Sequence, residues 1–277
     1  MYNGIQTSKV TLDTICMQNS QIYGYASRIK KVGKAFTADY FGRPEKFFND
    51  DPWQYSINKY GFRGPDWNFK PSVAVFGCSN IFGVGVQKSV TEVMSELMDQ
   101  PVHNLGVPGA SSTNIIKTFV SFANLHPMTD AVISLPTIQR VFQPSLHPNN
   151  QNSWAWTNKI HWAGETDTKL MKAIDRVWHN DTTISHIADL IDWAELVARS
   201  KGIKIHWTTW DSYNTSSTHK DVKFYIANMS SNFFTWPDMQ GRGPRKTARD
   251  GEHPGPAVVK DLALKCINAI ENNQCTM

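Results

Sequence analysis

The apolar run Val73-Ala74-Val75-Phe76, closed by Gly77 and followed by Cys78-Ser79-Asn80, constrains the fold of this chain more than any other stretch. A short apolar run bounded by glycine reads as a buried strand. A helix-like segment follows around residues 90–98, and the pattern then repeats. A strand over 102–105 leads to a helix over about 113–125, with Ser111 or Ser112 as its N-cap. Strands over 131–135 and 203–209 come later. Between them the helix over 182–201 carries Ile184, Ile187, Ile191 and Ala194 in one apolar stripe, with Gly202 as its stop. An amphipathic helix over 255–270 closes the series, with Cys266 on its apolar side. Strands alternating with helices of this length predict an α/β fold, a three-layer α/β/α sandwich with a mostly parallel sheet. Right-handed crossovers bring the carboxyl ends of the strands to one rim. Ser79 then stands at a strand end, where open α/β sheets place their ligand sites.

Two long segments interrupt the alternation and are expected to be lid-like loop insertions, at about 143–164 and 212–249. The first holds Pro144, Pro148, Trp154, Trp156 and Trp162. Residues 166–178 read as helical. Residues 1–54 show no clean period and are expected to pack as an N-terminal extension on the main domain, 55–277, or equally to form an interaction arm.

Composition narrows the function classes. Of the 277 residues, 40% are hydrophobic and 19% charged, which is a folded rather than a disordered chain. The net charge of +4 is spread without a dense basic run, so neither nucleic acid nor a membrane surface is an expected partner. No apolar run approaches the ~20 residues of a membrane-spanning helix. The polar stretch 1–22 lacks a signal-peptide pattern. Cys16, Cys78, Cys266 and Cys275 are widely spaced with no CxxC, so a reduced, cytoplasmic setting is expected, without zinc knuckle or disulfide framework.

A hydroxyl nucleophile needs a base within hydrogen-bond reach, and that base needs an orienting group. Asp250-Gly251-Glu252-His253-Pro254 offers both: His253 as base and Asp250 as orienter, on one turn stiffened by Pro254. Read alone, Asp250-x-x-His253 could equally be a helix-start motif. Glu252 is the rival orienter and Cys78 the rival nucleophile, although a residue adjacent to Ser79 points the other way. Gly77, Gly83 and Gly85 match neither phosphate-loop spacing, and no second His/Asp/Glu cluster suggests a metal.

Three blocks in order carry a resemblance. Gly77-Cys78-Ser79-Asn80 resembles the first block of the SGNH (GDSL-type) hydrolases, with Cys and Asn where Asp and Leu usually stand. Asn104-Leu105-Gly106-Val107-Pro108-Gly109 is similar to their second block, and Asp250 to His253 to their terminal Asp-x-x-His. Asn58 to Gly64 is similar to an N-x-x-Gly-Phe-Arg-Gly segment that precedes the nucleophile strand in bacterial and phage members. The resemblance spans about residues 55–270 and implies an SGNH/flavodoxin-like fold and a serine esterase without cofactor or metal. It implies a Ser79–His253–Asp250 triad, and the backbone N–H groups of Ser79 and Gly109 as oxyanion donors. The family's third block is absent: Ile138 stands where its Asn belongs, and Thr137 or Gln139 is left to supply the third donor. Asn80 and Arg63 are candidate substrate contacts, although Arg63 reads more readily as a structural residue satisfying loop carbonyls. The tryptophan-bearing loops suggest an acylated carbohydrate, such as an O-acetyl sugar. The alternatives are an acyltransferase and a non-catalytic carbohydrate- or ligand-binding module on the same scaffold.

Overall fold

The computed structural model describes residues 36–37, 54–56, 58, 62–67, 70–136, 140–147, 150–160, 180–209, 233–235, 248 and 253–272. In chain order the strands are β1 (Phe36–Thr37), β2 (Gln54–Tyr55), β3 (Ser72–Gly77), β4 (Val102–Gly106), β5 (Met128–Leu135), β6 (Arg140–His147), β7 (Asn150–Ile160), β8 (Lys204–Thr209) and β9 (Phe233–Thr235). The helices are α1 (Ser79–Phe82), α2 (Val90–Met98), α3 (Ser112–Leu125), α4 (Asn180–Lys201) and α5 (Pro256–Asn272).

The main sheet runs β4-β3-β5-β8-β9, and every neighbouring pair in it is parallel. Numbered by appearance within this sheet, that is the 2-1-3-4-5 order of flavodoxin-like α/β folds. Side chains alternate between its two faces. Ala74, Phe76, Ile133, Leu135 and Trp207 meet α3 and α4 on one side. Val73, Val75 and Val132 meet α2 and α5 on the other, where Cys266 lies in the core as expected. The three layers are therefore α/β/α. Strands covered on both faces explain why residues 73–76 read as a continuous apolar run rather than an alternating one.

Local chemistry sets the helix ends. Ser89 caps α2 in a reciprocal capping box with Glu92, Ser111 caps α3 through the Asn114 N–H, and Gly202 follows α4 at φ +69°. Two expectations need correction. Segment 143–164, read as a loop, belongs through residue 160 to the antiparallel hairpin β6–β7, which packs against α3. Its prolines and asparagines suggested a loop, whereas the cross-strand pairing makes it a ribbon, and an edge position tolerates Pro144. Segment 212–249, read as irregular, contains β9. Three residues are too short to show a period, and β9 is a strand because Trp207, Thr208 and Thr209 of β8 pair with it. The helix expected over 166–178 and nearly all of residues 1–54 lie outside the described residues; β1 and β2 pair with each other.

At the amino rim of the sheet, His103 and His126 lie 5.1 Å apart, ring centre to ring centre, within a cage of Trp67 and Phe122. Burial, and secondarily the neighbouring His126, pushes the His103 imidazole down to about 4, and burial lowers His126 as well. Both rings are therefore neutral in the folded protein, whereas the unfolded chain takes up their protons near the ordinary value of 6.5. The unfolded state binds more protons below that point, so stability falls as pH drops from about 6.5 toward about 4. One such group contributes a slope of up to about 1.4 kcal/mol per pH unit. Urea unfolding at neutral and mildly acidic pH should show this loss, and His103→Phe should reduce it. An equal loss in that variant would assign the effect to other groups.

Candidate active site

The end of β3 is built to carry a sharp turn. Cys78 is the N-cap of α1 and Ser79 its first residue. Gly77 and Gly106 are register partners across β3 and β4, and α1 passes over both. A Cβ on Gly77 would lie 2.3 Å from Ile81 Cγ1, and one on Gly106 would lie 2.2 Å from the Phe82 backbone nitrogen. Neither approach tolerates a side chain, which is the steric reason that glycine stands in both motifs. Hydrogen bonds lock the crossing. Asn104 Nδ2 donates to Ile81 O at 2.9 Å while its Oδ1 accepts from Gly106 N–H, and Val107 N–H donates to Gly77 O.

From Val107 the chain makes the turn Val107-Pro108-Gly109-Ala110, closed by Ala110 N–H donating to Val107 O at 3.0 Å. Gly109 has φ +80°. Pro at the second position and a positive-φ glycine at the third are the requirements of a type II turn. The loop after β4 thus stands next to the strand end that carries Ser79.

His253 arrives from the other side of the sheet order, on the segment that leads into α5. Its carbonyl accepts from Ala248 N–H at 2.7 Å, and Pro254 and Gly255 behind it are buried. Its Nε2 lies 2.9 Å from Ser79 Oγ, a contact between residues 174 positions apart in sequence. Both side chains are half-buried, so the pair is reachable from solvent. With Ser79 Oγ–H donating to Nε2, the ring proton sits on Nδ1, the atom that an orienting carboxylate would hold. The first turn of a helix leaves N–H groups without intrahelical partners, and the Ser79 N–H is one of these.

The other candidates fall as follows. Cys78 is 1% exposed and faces the core, where it offers no accessible thiol. Asn80 is buried on the same turn as Ser79. Arg63 does not reach out to a substrate: it is 2% exposed and its guanidinium is occupied by carbonyls of the loop after α1. Asp250, Glu252, Thr137, Ile138 and Gln139 lie outside the described residues. Among the described residues, no cluster of three His, Cys, Asp or Glu side chains could hold a metal ion, and no helix is long and apolar enough to cross a membrane.

Several features escaped the sequence reading. Asn104 belongs to a sequence block, but its role as the tether to α1 shows only in the fold. An imidazole–carboxylate pair, His206 Nε2 to Asp130 Oδ1 at 2.9 Å, is buried across β8 and β5. No spacing announces it, because only strand pairing brings the two together. His186 on α4 meets Thr113 Oγ1 at 3.3 Å, near the start of α3. A groove of about 410 Å³ between α2 and α5, lined by Val93, Leu97, Pro256 and Lys260 among others, contains neither Ser79 nor His253.

No family model matches the chain, and no curated protein matches it in sequence. Among solved structures it is similar to the psychrotrophic esterase EstA from a Pseudoalteromonas species, at 8% identity over 75% of this chain and 100% of that one, TM-score 0.48. It is similar to the acetyl xylan esterase Est2A from Butyrivibrio proteoclasticus, at 12% identity over 82% and 68%, TM-score 0.46. A family 3 carbohydrate esterase from Clostridium thermocellum gives 13% identity over 74% and 98%, TM-score 0.43. At this similarity the activity must be argued from the residues of this chain.

The glycine crossing has a direct consequence. Gly106→Ala forces its methyl group against the Phe82 backbone, and overpacking of this kind costs about 1–3 kcal/mol. The denaturant midpoint should fall accordingly. An unchanged midpoint would mean that α1 does not lie over β4.

Proposed function

We propose that the chain is a serine esterase of SGNH type that cleaves an acyl ester through an acyl-Ser79 intermediate. The observation that carries this reading is the 2.9 Å contact between Ser79 Oγ and His253 Nε2, at the carboxyl rim beside β3, where the strand order reverses and ligands of such sheets bind. In this mechanism the Ser79 hydroxyl proton passes to Nε2 as Oγ attacks the ester carbonyl carbon. The carbonyl oxygen becomes an oxyanion, received by the backbone N–H groups of Ser79 and Gly109. The C–O bond of the ester then breaks, and His253 returns the proton to the departing alcohol. Water, deprotonated by His253, releases the acid and restores Ser79. Asp250 is assigned the orienting role at Nδ1, and Thr137 or Gln139 the third oxyanion donor.

For substrate we infer an O-acyl carbohydrate, on the strength of Trp154, Trp156 and Trp162 in the segment after β5. An alcohol in place of water in the second half would make the same site an acyltransferase. A second reading has its own motive: with Ile138 in place of the family's third-block Asn, the scaffold could bind such a ligand without turning it over.

A fluorophosphonate probe separates these classes. It should label Ser79 in the wild type and nothing in Ser79→Ala. Hydrolysis of p-nitrophenyl acetate should be abolished in Ser79→Ala and nearly so in His253→Ala, since nucleophile and base act as a unit. Asp250→Asn should retain the fold; the corresponding change in chymotrypsin-type triads costs about 10⁴-fold in kcat. Cys78→Ala should leave turnover nearly intact. Turnover that survives in Ser79→Ala but vanishes in Cys78→Ala would reassign the nucleophile. A wild type inert to both probe and ester would favour the binding module.

A further inference from the structure

Asn58 and the stretch Phe62 to Pro65 have no part in the mechanism above, yet they are closely tied to one another. Asn58 Oδ1 accepts from Phe62 N–H at 3.0 Å, Asn58 N–H donates to Phe62 O at 2.8 Å, and Asn58 Nδ2 donates to Pro65 O at 3.2 Å. Gly64 N–H closes the loop onto Ser56 O. Phe62 is 2% exposed and packs on Trp67 in the core. Asn58 and Phe62 are thus fixed to each other, and Arg63 beside them points inward.

The guanidinium enters the bend that follows α1. Nη1 donates to Phe82 O at 3.4 Å, Gly83 O at 2.8 Å and Val86 O at 3.1 Å, and Nη2 to Gln87 O at 2.6 Å. Nη2 also pairs with Glu92 Oε2 at 2.8 Å. The same carboxylate oxygen accepts from the Ser89 N–H and hydroxyl in the cap of α2. Phe82 is the last residue of α1 and Gly83 its C-cap. A one-turn helix is not stable by itself, so the direction of α1 depends on what holds its two ends. β3 and Cys78 hold the amino end. Asn104 holds Ile81 O, and Arg63 holds the next two carbonyls, at the end of the helix where a cation is favourable.

We propose that Arg63 is a positioning residue for Ser79: by clamping the carboxyl end of α1, its guanidinium sets where the serine hydroxyl stands against His253. The inference rests on the serine-esterase reading for its catalytic consequence. It requires the planar fork. A lysine ammonium, a single point with three donors, cannot span carbonyls from Phe82 to Gln87 and Glu92 together.

The test compares wild type, Arg63→Lys and Arg63→Ala by four readouts: the rate of fluorophosphonate labelling at Ser79, kcat and KM for p-nitrophenyl acetate, thermal unfolding, and hydrogen exchange of 79–87 against 128–135. Well below its unfolding temperature, Arg63→Lys should label about 10–100-fold more slowly and lose kcat by a similar factor, with KM little changed, as for a misplaced reacting group. Exchange should rise in 79–87 and not in β5. In Arg63→Ala, millimolar guanidinium should restore part of the labelling rate where sodium chloride at equal ionic strength does not. A folded Arg63→Lys with wild-type labelling and kcat would overturn the proposal, whatever its loss of thermal stability. If wild type itself neither labels nor turns over, the esterase reading fails, and exchange alone decides the clamp. Protection lost only in 79–87 then supports it, and protection retained there overturns it.

Discussion

Gly77 and Gly106 face each other across β3 and β4, and α1 occupies the space that their missing side chains leave. Everything at the candidate site depends on this crossing. With a side chain at either position, α1 would have to lift off the sheet and Ser79 would move with it. The helix is too short to choose its own direction, so its course comes from steric room below and from Asn104 and Arg63 at the side and far end. The half of the site that His253 supplies comes from a different element, the segment entering α5, and meets Ser79 because α5 packs on the same face of the sheet as α1.

The polar groups buried in the sheet divide by rim. At the carboxyl rim, Ser79 and His253 are half-buried and paired with each other, so their chemistry remains accessible. Toward the amino side, Asp130 and His206 pair in full burial and His103 and His126 are kept neutral among aromatic rings. Histidine thus stands in a half-exposed candidate site at one end and in the core at the other, and burial makes the difference.

Much of the fold was legible in the residues. The both-face burial of β3 shows as an uninterrupted apolar run, the stripe of Ile187, Ile191 and Ala194 as a helix, and Ser111 and Gly202 as helix punctuation. The hairpin β6–β7 and the strand β9 were not legible. The first is rich in loop-forming residues, and the second is three residues long and is defined by its pairing with β8. At the site, Ser79, Gly109 and His253 could be singled out because they sit in short ordered motifs. Arg63 could be read as a structural residue on loop carbonyls, but the particular carbonyls it holds could not, nor could the tether made by Asn104, because each residue acts on carbonyls about twenty residues away along the chain.

By itself, then, the sequence determined the layers, the strand that leads to Ser79, and the residue types that a hydroxyl nucleophile needs. These follow from periodicity, turn chemistry and burial, all of which act over a few residues. Only the tertiary structure decided that Ser79 and His253, 174 positions apart, meet at 2.9 Å, that Arg63 faces inward, and that two strand-end glycines make room for one helical turn. Those outcomes depend on which strands pair and which helices cover them, and the pairing of distant segments is a property of the whole packed chain rather than of any local pattern.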